Sequence, residues 1–318
     1  MNTYFDKLIN PFLIDIEDKE EYTYNDYINI QNKLKEKDIE SFLKELYSEN
    51  MSTTFEEMKR RVTKGITLDI IDKSNNIILP TIQIYKIGNG GENCFVCYTS
   101  LFNNRFDKSQ NILESFKKNN FDGYFLLLNG GFPNPSGKEM KYCGVPYSFK
   151  IFMMLEAKKL GFEKIIWIDA ACYCVNNPKR LFDLLVEDDV ICRDFPPNCF
   201  FANTINNIVF PKTIELLNDI VGRDIRNDYT INTIVFGLNF GSEKIKNFIN
   251  EYYEMVELGL PFLSSFPEEI VFTSILNKPE YKYVIKERNE RNKLYIHETY
   301  LNEENAKNYG YFFLQRKY

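Results

Sequence analysis

The residues able to do chemistry stand beside apolar runs. Asp169 closes one in "FEKIIWIDAACYC" (162–174), where a lone carboxylate follows a strand-like stretch holding the chain's single tryptophan, Trp167. A carboxylate there can cap the following turn or meet a ligand at the strand end. Lys150 precedes it by one helical stretch; it is either a solvated lysine on an amphipathic helix or a cation facing the same strand end. In "SSFPEEIVF" (264–272), Ser265-x-x-Glu268 has capping-box spacing. Glu268 is therefore expected to close a helix start, which leaves Glu269 as the acid available for proton transfer. His297 is the single histidine, able to ligate a metal or to serve only a structural role.

Such groups need a scaffold. From residue 94 onward, apolar strands over 94–99, 123–128, 164–168 and 190–193 alternate with helical patterns near 108–118, 146–160 and 178–186. Continuous apolar strands separated by helices predict an α/β fold with a mainly parallel sheet covered on both faces, and ligand sites at the carboxyl ends of its strands. Asp169 lies at one of these ends, and Asp194 ends the strand "VICRD", expected to neighbour it. Farther on, "INTIVFGLNFGS" (231–242) reads as a strand ending in a glycine turn, and helical patterns cover 211–222, 242–258 and 264–277. Two β-rich pieces follow at 281–287 and 293–298.

The first 90 residues differ. Residues 26–48 read as one amphipathic helix, and Thr53 with Glu56 stands at capping-box spacing before a second. Residues 66–87 read as a hairpin around "KSNN", and "GNGGEN" (88–93) as a boundary. Residues 1–90 are accordingly expected to form a helical and hairpin extension to a main domain over 91–318.

Composition narrows the function. Hydrophobic residues at 44% and aromatics at 15% fit a folded globular chain. A net charge of −6 with no basic face excludes nucleic acid as the main partner. The apolar runs are too short to span a bilayer, and the N-terminus lacks a secretory pattern, so a soluble cytoplasmic protein is expected. Cys94 and Cys97, three apart on a strand, point to opposite faces and are expected to be buried thiols, not a metal or redox pair. Gly130-Gly131 lacks the spacing of a phosphate loop and reads as part of a long loop over the strand ends.

With these residues laid out, the stretch "SFKIFMMLEAKKLGFEKIIWIDAACYCVNNPKRLFDLL" (148–185) resembles the heart of the GT-A nucleotide-sugar glycosyltransferases. There a helix with a basic residue leads through a turn into an apolar strand, a D-x-D motif ends the strand, and "NP..LF" opens the next helix. "NCFVCYTS" (93–100), "FDGYFLLLNGG" (121–131), "IVFGLNFGS" (234–242) and "FPEEIVFTSIL" (266–276) resemble, in order, the other units of that fold, so the resemblance covers roughly 92–300.

It implies a Rossmann-like GT-A domain that moves a sugar, a hexose carried on UDP first among the choices, to a hydroxyl on a glycan, protein or small molecule. It implies that Thr99, Ser100 and Arg105 lie near the base or phosphates, and that Lys150 faces the donor. Asp169 would lie by the ribose or metal, and Gly237 and Asn239 would let backbone approach the sugar. It also implies Glu269 as the base for the acceptor, with His297 joining Asp169 on a manganese or magnesium ion. The second acid of D-x-D is here Ala171, which cannot ligate. Either other groups rebuild the metal site, or cations and backbone N–H groups alone stabilise the leaving phosphate. Two other readings stand beside this one. The missing acid favours an inactive nucleotide- or carbohydrate-binding module. A sugar-1-phosphate nucleotidyltransferase would need a glycine-rich start where this chain has "TSLFNNRF" (99–106).

Overall fold

The structure is a computed structural model and describes residues 12–51, 53–66, 81–99, 105–130, 137–195, 205–281 and 292–316. Three helices come first: α1 (Tyr24–Lys35), α2 (Ile39–Leu46) and α3 (Phe55–Gly65). The single helix expected over 26–48 is broken because Asp38 caps α2, its carboxylate accepting from the Ser41 N–H at 3.1 Å. The cap of α3 is Thr54, one residue later than the spacing predicts, accepting from the Glu57 N–H at 3.3 Å.

Then follow β1 (Thr81–Ile87), β2 (Asn93–Thr99), α4 (Arg105–Lys118), β3 (Gly123–Asn129), α5 (Phe149–Lys159), β4 (Lys164–Ile168), β5 (Cys172–Cys174), α6 (Lys179–Asp188) and β6 (Val190–Phe195). The remainder comprises α7 (Ile205–Ile208), α8 (Pro211–Val221), β7 (Thr230–Asn239), α9 (Glu243–Leu258), α10 (Pro267–Leu276), β8 (Tyr295–His297), α11 (Glu303–Asn308) and β9 (Phe313–Gln315). Most of the expected hairpin, and nearly all of the β-rich piece at 281–287, lies outside the described residues.

Among the described residues the main sheet has six strands, in the order β1-β3-β2-β4-β7-β6. β2 pairs in parallel with both β3 and β4. β1 and β7 run against them, and β6, antiparallel to β7, points with the parallel set. Residues 88–93 turn β1 into β2 within this one sheet, because β1 pairs with β3 along its whole length, Thr81 opposite Asn129 to Ile87 opposite Gly123. The expectation that "VICRD" neighbours the Asp169 strand is corrected: β7 lies between β6 and β4. A small second sheet runs β5-β9-β8.

Both faces of the main sheet are covered, so its central strands carry apolar residues at every position. Strand alternation assigns them. Cys94, Val96, Ile165 and Trp167 face a core shared with α5, α8, α9, α10 and the N-terminal helices. Phe95, Cys97, Ile166 and Ile168 face a core shared with α4 and α6. The crossover through α4 carries the chain to one side of β2 and that through α5 to the other, which leaves a crevice at the carboxyl ends of β2 and β4. The cysteines of these strands are buried and free, and burial pushes the Cys94 thiol up to about 12. No helix among the described residues is long and apolar enough to cross a membrane.

Candidate active site

Asp169 follows Trp167 by two, so alternation turns it towards α5. Lys150 stands in the first turn of α5 and is buried, 4% exposed. A buried ammonium is tolerable only when paired and hydrogen-bonded. Here its Nζ lies 2.7 Å from Glu268 Oε1 and 3.2 Å from Asp169 Oδ1. It also donates to the Thr233 carbonyl at 3.0 Å and lies 5.6 Å from the Trp167 ring centroid. Each carboxylate is tied a second time. Trp167 Nε1 donates to Asp169 Oδ1 at 2.7 Å, and Thr233 Oγ1 donates to Glu268 Oε1 at 2.9 Å. Glu269 Oε1 accepts from Asn232 Nδ2 at 2.7 Å and from the Thr233 N–H at 3.3 Å.

The electrostatics follow from this packing. Burial alone would lower the Lys150 ammonium, but Asp169, Glu268 and Glu269 outweigh it and hold the group above the ordinary lysine value. Burial, reinforced by the charge of Glu268, pushes Glu269 up from 4.5 to about 8. Two carboxylates neighbour one lysine while a third is poised near neutrality, an arrangement suited to moving a proton.

These groups line a cleft of about 420 Å³ at the carboxyl end of β4. Tyr98, Tyr147, Phe149, Trp167 and Phe266 supply aromatic walls, and Arg60, Arg61 and Lys64 of α3 supply a basic one. Sequence reasoning missed the start of β7 and the whole contribution of α3. Asn232 and Thr233 could have been found only by knowing that β7 runs against β4, and the basic residues only by knowing where α3 docks.

The predicted site residues separate on the structure. Asp169, Lys150 and Glu269 come together, with Glu268. The capping box expected for Glu268 is not formed: Pro267 opens α10, Phe266 takes the cap position, and Ser265 Oγ donates to Met58 Sδ at 2.9 Å. Gly237 and Asn239, expected at the donor, lie at mid-strand and at the opposite end of the strands from the cleft. Since β7 is antiparallel, Asn239 sits opposite Lys164 at the start of β4. Gly237 serves packing instead, because a Cβ there would lie 2.9 Å from Ile166 Cγ1. Thr99 ends β2 buried, its carbonyl accepting from the Gly130 N–H at 3.0 Å, and Tyr98 is the β2 residue that lines the cleft. Ser100 lies outside the described residues, and Arg105 opens α4. His297 lines a separate groove with Arg193 and Tyr300, its Nδ1 2.9 Å from Thr299 Oγ1, because β9 separates β8 from the strand that follows Asp169. Asp194, on β6, pairs with Ile231 of β7.

A divalent cation does not fit this donor set. Ala171 has no ligand to give, and the oxygen of Asp169 that meets Trp167 Nε1 also meets the Lys150 ammonium. A cation there would compete with an ammonium already in place. Among the described residues no group of three or more His, Cys, Asp or Glu is placed to hold a metal.

No protein-family model matches the chain, and no curated protein matches it. Solved structures similar in fold include mouse xyloside xylosyltransferase 1, at 10% identity and TM-score 0.41, covering 71% of this chain and 97% of that one. The WbbM bifunctional glycosyltransferase is similar at 10% identity and TM-score 0.43, over 70% of this chain and 45% of that one. A glycosyltransferase involved in glycosylation of the PBCV-1 major capsid is similar at 13% identity and TM-score 0.35, over 70% of this chain and 93% of that one. All three TM-scores lie below 0.5, so the function is read from this chain's own site.

Proposed function

We propose that this chain is a glycosyltransferase that moves a sugar from a nucleotide-diphosphate sugar, with a UDP-hexose the first donor to test, to a hydroxyl acceptor. The observation that carries the reading is Glu269: a buried carboxylate raised to about 8 in a cleft, beside a second carboxylate and a lysine at the carboxyl end of a parallel strand. The aromatic walls suit a base or a sugar ring. In the reaction the acceptor oxygen bonds to the anomeric carbon, and the bond from that carbon to the phosphate oxygen breaks. The electron pair leaves with the nucleoside diphosphate, and Glu269 takes the acceptor proton. Lys150 holds Asp169 and Glu268 in place through its two ion pairs. Asn232 and the Thr233 N–H hold the Glu269 carboxylate in one orientation.

The test is a screen of UDP- and GDP-sugars for hydrolysis and transfer by the wild type and Glu269→Gln. Turnover of one donor by the wild type, with the variant nearly silent, supports the reading. Ala171 in place of the second acid keeps the binding-module alternative in play, and that alternative gains if a donor binds tightly and is never turned over.

A further inference from the structure

The basic residues of α3 stand apart from the carboxylate cluster yet line the same cleft. Helical spacing explains why. Met58, Val62 and Gly65 fall on one stripe and are buried, which leaves Arg61 at the flank of that stripe and turns Arg60 and Lys64 to the other side. The helix is built into the site at both flanks. Its last residue, Gly65, has no space for a side chain, because a Cβ would lie 2.5 Å from Tyr147 Cδ2 and 2.8 Å from Pro146 Cβ. The Gly65 carbonyl accepts from the Tyr147 N–H at 3.0 Å. Tyr147 holds φ at 56°, a conformation that costs a tyrosine on the order of 1–3 kcal/mol and persists only where the surroundings enforce it. Three residues later in the chain comes Lys150. On the other flank, Ser265 Oγ donates to Met58 Sδ, and the Arg61 guanidinium carbon lies 4.7 Å from the Phe266 ring centroid, directly ahead of Glu268 and Glu269.

Two of the cations are also held in place. Glu57 accepts from Arg60 Nε and Nη2, both at 2.8 Å, and from Arg61 Nε at 2.6 Å, so one carboxylate fixes two guanidinium planes. The same cleft is lined by aromatic rings, by Asp169, Glu268 and Glu269, and by these three cations.

We infer that α3 is the diphosphate-binding wall of the donor site: Arg60, Arg61 and Lys64 take the pyrophosphate of a nucleoside diphosphate and supply the positive charge that the acid missing at Ala171 would otherwise have brought in as a metal. This rests on the nucleotide-sugar reading and adds to it which residues hold the leaving group. It also makes the N-terminal helices part of the donor site. Guanidinium and ammonium groups pair with phosphate through charge-assisted hydrogen bonds, and a rigid wall of them stabilises a leaving dianion with little reorganisation.

The experiment is calorimetric titration with UDP, GDP, inorganic pyrophosphate and uridine in EDTA, repeated with added manganese. The variants are Arg61→Gln, Lys64→Gln, the double variant and Lys64→Arg, with the unfolding midpoint of each recorded. The wild type should bind UDP or GDP, and pyrophosphate, in EDTA, with UDP about tenfold or more tighter than uridine. Each glutamine variant should lose about tenfold of that gain, the equivalent of one charge-assisted hydrogen bond, with uridine affinity unchanged. Lys64→Arg should retain it, and Lys64→Gln carries the test if Arg61→Gln does not fold. Glutamine variants that bind UDP as the wild type does, or binding that appears only with manganese, overturn the inference while leaving the nucleotide-sugar reading intact. A wild type that binds neither nucleotide nor pyrophosphate under either condition overturns both.

Discussion

Lys150 shows how one residue can decide both stability and chemistry. It is buried against two carboxylates, so replacing it by methionine keeps the stem and removes the charge, leaving Asp169 and Glu268 facing each other uncompensated. Breaking a buried pair by removing one partner costs about 3–5 kcal/mol. Lys150→Met is expected to lower the unfolding free energy measured in urea by that much, and adding Glu268→Gln should return part of it; an unchanged free energy would mean that the ammonium is not buried among acids. Glu269 makes a prediction of the opposite kind. Its folded value is raised from 4.5 to about 8, so the folded state holds a proton that the unfolded chain releases. That contribution to stability is full below pH 4.5 and is lost as pH rises through about 8. Thermal unfolding of the wild type should therefore decline across this window, and Glu269→Gln should flatten the decline. The base must be ionised to act, so kcat/KM should rise towards the same value, about 8. Glu269→Gln should lose roughly 10²–10⁴ in transfer rate with UDP affinity kept. A glutamine variant with full turnover would place the base elsewhere.

At the scale of elements, the close contact of α3 with the Pro146-Tyr147 turn is the feature most open to a single change. Gly65→Ala puts a methyl 2.5 Å from the Tyr147 ring and must push the helix or the turn away. Overpacking of this kind costs about 1–3 kcal/mol, and the shift should weaken UDP binding as well. A variant that loses stability but keeps full UDP affinity would separate helix docking from the donor site. The same contact shows why part of the site was legible in the sequence and part was not. The strand 164–168 declares itself by an unbroken apolar run, and Asp169 by standing at its end. Lys150 and Glu269 follow from the order of elements around it. Strand direction, however, leaves no trace in periodicity: "INTIVFGLNFGS" reads identically whether its glycine end or its asparagine-threonine start meets the ligand. Here the start lines the cleft. The cap expected from Ser265 and Glu268 failed because Pro267, with its fixed φ and missing N–H, sets the first helical position one residue beyond the spacing rule. Arg60, Arg61 and Lys64 look like any solvated helix face until Gly65 and Met58 are seen in contact with segments about 80 and 200 residues away.

Among the described residues, the larger of the sheet's two cores runs across residue 90, where the sequence texture changes. Phe12, Leu43, Met58 and Val62 share a continuous apolar cluster with Val96, Phe152, Trp167 and Phe272, and β1 closes the edge of the same sheet as β2, β3 and β4. An extension that folds apart from its main domain would not divide a core in this way. The single tryptophan, Trp167, lies in this cluster 6.0 Å from the Phe149 ring and donates to Asp169, so its emission reports the core and the cleft together. Urea unfolding followed by Trp167 emission and by far-ultraviolet circular dichroism is expected to give one coincident transition. Removing residues 1–66 should strip the apolar cover from α5 and the sheet and take away α3. The remaining chain is then expected to lose the buried emission of Trp167 and to run as aggregate on size exclusion. Two separate transitions, or a truncated chain that stays monomeric with native emission, would show that residues 1–90 are an independent unit. Either result would also move the basic wall of α3 off the donor site, because a helix dispensable to the core could not be held against Tyr147 and Phe266 with the rigidity that phosphate binding in place of a metal requires.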